Sequence, residues 1–93
     1  MMDVMIVEDE EMIRQLYKDV LTMKGFGISG MAETGEEAVE MYRDFERKPE
    51  LIIMDHRMPG MGGLDAAQEI LQIEPDAKII IVSADDNAVW EAL

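Results

Sequence analysis

Short, unbroken apolar runs that each end at a polar group constrain this chain more than any other feature. Val4-Met-Ile-Val7 stops at Glu8, Leu51-Ile-Ile-Met54 stops at Asp55, and Lys78–Val82, with three isoleucines and a valine, stops at Ser83. Each is too short for a helix and reads as a strand buried on both faces. Gly27–Ala32 is a weaker strand candidate, with Gly30 inside it. The intervening segments have helical period. From Glu11 to Lys24 the apolar residues Ile13, Leu16, Tyr17, Val20 and Leu21 form one stripe, opened by acidic residues and closed by Lys24 and Gly25. Thr34-Gly-Glu-Glu37 is a capping-box pattern ahead of Ala38, Val39, Tyr42 and Phe45. A third helix carries Leu64, Ala67, Ile70 and Leu71 and must stop before Pro75. Asn87–Leu93, with Val89, Trp90 and Leu93, reads as the start of a fourth. Strands buried on both faces that alternate with amphipathic helices predict an α/β fold, a doubly wound parallel sheet with helices on both sides.

The 93 residues allow one small domain, taken as residues 1–93, and the 48% hydrophobic content can supply its core. Without cysteine there is no disulfide, no thiol nucleophile and no cysteine-held metal. The net charge of −13 repels phosphate backbones and anionic lipid, which argues against direct nucleic-acid or membrane contact. No apolar run reaches the roughly 18–20 residues that span a bilayer, and the N-terminus lacks the basic start of a signal peptide. The expected location is cytoplasmic.

Ligands of open parallel sheets bind beyond the carboxyl ends of the strands. There the sequence places Glu8 and Asp9 after the first strand, Asp55 after the third and Ser83 after the fourth. Clustered carboxylates raise one another's pKa unless a cation joins them. Oxygen ligands without His or Cys call for a hard ion, and magnesium fits better than calcium because no EF-hand spacing is present. The plain alternative for Glu8 and Asp9 is capping of the first helix. That alternative loses ground once Asp55 stands at the end of a neighbouring strand, where an acid has no packing purpose. A carboxylate so placed can act as a nucleophile and form an acyl phosphate.

Ile6-Val7-Glu8-Asp9-Glu10, Leu51-Ile-Ile-Met-Asp55, Met58-Pro-Gly-Met-Gly-Gly63 and Ile81-Val82-Ser83-Ala84 together resemble the receiver domain of two-component response regulators, in the family's order and at its approximate spacing. The resemblance covers the whole chain. It implies a flavodoxin-like sheet of order 2-1-3-4, to which the family adds a fifth strand. It implies that Asp55 is the phosphoacceptor, supplied by a sensor histidine kinase or phosphotransfer protein. Asp9 matches the direct Mg²⁺ ligand (Mn²⁺ can substitute), Glu8 the second acidic position, and Arg57 the residue whose backbone carbonyl joins the metal. Ser83 matches the switch hydroxyl. The backbone amides of Arg57 and Ala84 match phosphoryl contacts, and Pro59 with the following glycines shapes the pocket. Output would pass to a downstream target protein, with no separate substrate turned over.

The chain also departs from that pattern. Receivers typically run to about 120 residues, in the usual domain range. The family's fifth strand and helix, and the lysine and aromatic switch residue on that strand, have no counterpart by Leu93. None of Lys18, Lys24, Lys48 or Lys78 replaces that lysine on sequence grounds. Losing one charge-assisted contact of this kind costs about 1.5–3 kcal/mol. The expectation is a receiver incomplete at its C-terminus, with Lys78–Val82 as an exposed apolar edge open to dimerisation or domain swapping. The alternative function is that of a truncated or pseudo-receiver, a protein-binding module independent of phosphorylation. A magnesium phosphatase with an aspartyl nucleophile is disfavoured, because Arg57 stands where its second acid is required.

Overall fold

The structure is a computed structural model that describes residues 2–58, 60–83 and 88–92, with side chains described as far as residue 82. Its elements run β1 (Asp3–Val7), α1 (Glu11–Met23), β2 (Gly27–Ala32), α2 (Gly35–Asp44), β3 (Leu51–Asp55), α3 (Gly63–Ile73), β4 (Ile79–Ser83) and β5 (Ala88–Ala92). The sheet order is β2-β1-β3-β4-β5. The first four strands are parallel, as the alternation of apolar runs and helical segments predicts. β1 lies between β2 and β3, so its carboxyl end opens between those of two parallel neighbours.

The helix boundaries follow local chemistry. Thr34 caps α2, its Oγ1 accepting the Glu37 N–H at 3.0 Å, while Glu37 Oε1 reaches back to the Glu33 N–H at 2.8 Å. Gly25, at φ 91°, ends α1 in a Schellman arrangement: its N–H meets the Thr22 carbonyl, and the Phe26 N–H meets that of Leu21. α3 stops at Ile73, two residues before Pro75.

The core lies between the sheet and the helices α2 and α3. Met5, Val7, Ile52, Met54, Ile79 and Ile81 meet Ala38, Val39, Tyr42, Ala66, Ala67 and Ile70 there. Tyr42 is fully enclosed and Phe45 packs at the margin, as their helical spacing predicts. The other face holds α1, which rests on β1 and β2. The stripe predicted for α1 is only partly used. No residue of that helix is buried, and Leu16 and Val20 remain 58% and 42% exposed.

The chain end corrects two expectations. Asn87–Leu93 was expected to start a helix, but Ala88–Ala92 forms an antiparallel strand on β4, pairing Ile81 with Trp90 and Val82 with Val89. β-branched Val89 and aromatic Trp90 suit a strand, and pairing satisfies the backbone groups that β4 would otherwise leave open. For the same reason β4 is not the exposed apolar edge predicted from its sequence, and dimerisation or swapping through that edge loses its basis. Among the described residues, the flank of β4 is occupied by an antiparallel strand and not by a parallel fifth one. Among the described residues no helix is long and apolar enough to cross a membrane.

Candidate functional site

Glu8 and Asp9 leave β1 at the sheet's carboxyl edge, between β2 and β3. The Glu8 N–H donates to the Ala32 carbonyl at 3.0 Å, carrying the β1–β2 ladder one residue beyond Val7. The Glu8 side chain turns inward: at 4% exposure it is the one buried charged residue among those described. Its Oε2 accepts the Glu10 N–H at 3.0 Å, which curls the chain into α1. Asp55 ends the neighbouring β3, in register with Val82 of β4. The His56 N–H that follows it donates to the Val82 carbonyl at 2.8 Å, tying the strand end to β4, and the Arg57 and His56 amides act on the Asp55 carboxyl to lower its pKa. One carboxylate oxygen from each of Glu8, Asp9 and Asp55 lies within 4.8 Å of the others. The sequence-predicted acids therefore converge, on elements far apart in the chain.

The electrostatics of the trio follow from burial and crowding. Burial pushes the Glu8 carboxyl up to about 7; the Glu10 N–H opposes this, and the neighbouring Asp55 and Asp9 reinforce it. Burial also raises Asp55, against the pull of the Arg57 N–H and with help from Asp9. The Tyr17 hydroxyl of α1 is raised by burial first and then by the negative charge of Glu8 and Asp55. Three hard oxygen donors, crowded and partly desolvated, fit a small divalent cation, which would offset the burial and the mutual repulsion that raise Glu8 and Asp55.

A cleft of about 470 Å³ opens beside the trio, lined by Asp9, His56, Arg57 and Met58. Its floor is held by close backbone approaches. The Gly63 N–H at the start of α3 donates to the His56 carbonyl at 3.1 Å, and a Cβ on Gly63 would strike the Asp55 carbonyl oxygen. The other wall of the loop is braced by α2, where Glu36 Oε2 accepts the Met61 N–H at 3.3 Å. His56 is half-buried. Ser83 ends β4 next to Val82, on the same sheet edge; its side chain and all of Ala84 lie outside the described residues, as does Pro59. Lys48 is committed to the end of α2, with Nζ 2.6 Å from the Phe45 carbonyl, and Lys78 precedes β4 at the opposite end of the sheet.

Arg14 joins this site although no motif in the sequence singles it out. Its guanidinium reaches back from the first turns of α1 and donates to the Glu8 carbonyl at 2.9 Å. A basic residue one turn past an acidic loop is within helical reach of it, and that spacing was the available signal.

The model of the response regulator receiver domain family matches residues 4–92. The chain belongs to that family. This receiver domain is 47% identical over 81 residues to the chemotaxis protein CheY of Thermotoga maritima, covering 87% of the chain and 66% of that relative, just under two thirds of its length. Its fold resembles the CheX–CheY–BeF3–Mg complex of Borrelia burgdorferi, with a TM-score of 0.85 at 30% identity over 89% of this chain and 62% of the other. It also resembles the complex of histidine kinase ThkA with response regulator TrrA, a Thermotoga maritima protein, with a TM-score of 0.79 at 42% identity over 90% and 70% of the two chains.

Proposed function

We propose that this receiver domain is a phosphoacceptor module that takes a phosphoryl group onto Asp55 from a phosphohistidine of a sensor kinase or phosphotransfer protein. The observation that carries the reading is the convergence of Glu8, Asp9 and Asp55 at one point of the sheet's carboxyl edge. In the transfer, an Asp55 carboxylate oxygen forms a bond to phosphorus while the P–N bond to the donor imidazole breaks. Asp9 and Asp55, with Glu8 behind them and the backbone carbonyl of Arg57, would hold Mg²⁺. The ion, when bound, offsets the negative charge of the incoming phosphoryl oxygens.

The protein's own groups do the rest. The Arg57 and His56 amides lower the pKa of the Asp55 carboxyl, which favours the ionised nucleophile. Gly63 allows α3 to start directly beneath it. Ser83 is assigned the switch hydroxyl and the Ala84 amide a phosphoryl contact, by their match to the family's motif. Signalling then runs through a change at Ser83 and the segment that follows, read by a downstream target. The module turns over no separate substrate. The fit to a kinase partner is supported by the likeness to a regulator solved with its histidine kinase.

The test is intact mass after incubation with acetyl phosphate, with and without Mg²⁺, on the wild type and Asp55→Asn. A single Mg²⁺-dependent phosphoryl adduct, lost in Asp55→Asn, is the expected result. No adduct on protein shown to be folded by circular dichroism would instead make the chain a phosphorylation-independent binding module.

A further inference from the structure

Arg14 hydrogen-bonds the stretch of backbone that carries Glu8 and Asp9. Its side chain is 12% exposed. One guanidinium nitrogen, Nη1, approaches three oxygens: the Glu8 carbonyl at 2.9 Å, the Asp9 carbonyl at 3.5 Å and Glu33 Oε1 at 3.9 Å. Glu33 directly follows β2 and is 62% exposed, so its ion pair with Arg14 contributes little. The two carbonyls belong to the residues whose carboxylates form two thirds of the acidic trio. With its carbonyl held from the α1 side, the peptide after Glu8 has a fixed plane, and so has the direction in which Asp9 leaves the backbone.

We propose that Arg14 is a positioning residue for divalent-cation binding: by holding the Glu8 and Asp9 carbonyls it aims their carboxylates at Asp55. The proposal rests on the reading of Glu8, Asp9 and Asp55 as a cation site. Two opposed effects separate it from plain electrostatics. A guanidinium near a cation site repels the cation through space, so removing its charge tightens binding if charge is all that matters. If Arg14 sets geometry, removing it weakens binding, because groups that orient metal ligands typically contribute about 10–100-fold in affinity. The sign of the change decides.

The experiment measures Mn²⁺ affinity from the free-ion electron paramagnetic resonance signal, and Mg²⁺ affinity by competition, on the wild type, Arg14→Ala, Arg14→Lys and Glu33→Gln. Thermal unfolding in EDTA is followed in parallel. The expected result is a loss of about tenfold for Arg14→Ala, the low end of the orienting range because the contacts are to carbonyls. Arg14→Lys keeps the charge and the helix propensity but loses the planar fork, and is expected to bind more weakly than wild type. Glu33→Gln is expected to stay within about twofold of wild type. Equal or tighter binding in a folded Arg14→Ala overturns the proposal while leaving the cation site in place. Should Arg14→Ala not fold, wild-type affinity in Arg14→Lys overturns it equally. Absence of Mn²⁺ binding by the wild type overturns the underlying cation site, and the proposal with it.

Discussion

The two faces of the sheet are built from the same strands and are covered to different extents. Toward α2 and α3, Met5, Val7, Ile52, Met54, Ile79 and Ile81 are at most 1% exposed. Toward α1, Val4 and Ile6 are fully enclosed, but Leu51, Ile53, Ile80 and Val82 are only half-buried. α1 rests on β1 and β2, so the half of the sheet made by β3 and β4 is left with partial cover. The lesson is that a continuous apolar run specifies a strand able to be buried on both sides. How much of each side is covered depends on which helices cross it. Rigidity around Asp55 therefore comes chiefly from one direction, through α3, Gly63 and the backbone of β3 and β4.

The contrast is tested most directly on two adjacent residues of β3. Ile52→Ala opens a cavity in the closed core, and its expected cost is about 3–5 kcal/mol, the upper part of the range for such truncations. Ile53→Ala removes the same atoms from the half-covered face, and its expected cost is about 1–2 kcal/mol, because less buried area is lost. Urea unfolding of both variants checks this. Equal costs would mean that the α1 face is as well covered as the other.

A change at the junction of the core and the site comes next. Gly63→Ala gains about 1 kcal/mol of helix propensity within α3. Against that, its Cβ would strike the Asp55 carbonyl oxygen and lie 3.0 Å from the His56 Cα, backbone atoms that cannot rotate away. The expected net loss is about 1–2 kcal/mol, within the usual cost of overpacking, together with a weaker response to Mg²⁺. A neutral effect in thermal unfolding, with Mg²⁺ affinity unchanged, would show that α3 can retreat from the strand end.

The acids at the sheet's carboxyl edge make a smaller, pH-dependent contribution. Glu8 titrates at about 7 in the folded protein, above the ordinary 4.5, so between these values the native state holds more protons than the unfolded chain. Stability in EDTA is thus expected to fall as pH rises through that window; the raised Asp55 carboxyl acts in the same sense. Saturating Mg²⁺ replaces the proton and should flatten the slope while raising Tm at the upper end. Melting curves at about pH 5 and about pH 8, with EDTA or Mg²⁺, read the effect. A slope unchanged by Mg²⁺ would separate Glu8 from the cation site.

The sequence made legible whatever local chemistry decides. Runs such as Val4–Val7 and Leu51–Met54 announced their strands, Thr34 and Gly25 marked helix ends, and the acids after the first and third strands meet because parallel strands bring their carboxyl ends to one edge. What escaped depends on longer-range pairing. Ala88–Ala92 carries too little periodicity to distinguish strand from helix, and the unsatisfied edge of β4 decides it. Arg14 escaped because the apolar stripe of its helix carries no information on a polar side chain that faces back onto the loop before it. Half-burial of His56 and exposure of Leu16 are likewise outcomes of packing that no local pattern encodes.

Leu16 gives the mildest and sharpest check of the comparison. Its position in the apolar stripe of α1 predicts a core residue, yet the residue is 58% exposed. Leu16→Gln keeps nearly the same helix propensity, so the change reports burial and little else. If the structure's account of the α1 face holds, unfolding free energy shifts by no more than about 0.5 kcal/mol, as at an ordinary surface site. A cost above about 2 kcal/mol is the signature of a buried leucine and would require α1 to be covered in solution. Repeating the measurement over a range of protein concentrations identifies the cover. A cost that grows with concentration belongs to a second copy of the chain. A large cost independent of concentration means that α1 lies deeper on the sheet than its present contacts with β1 and β2 place it.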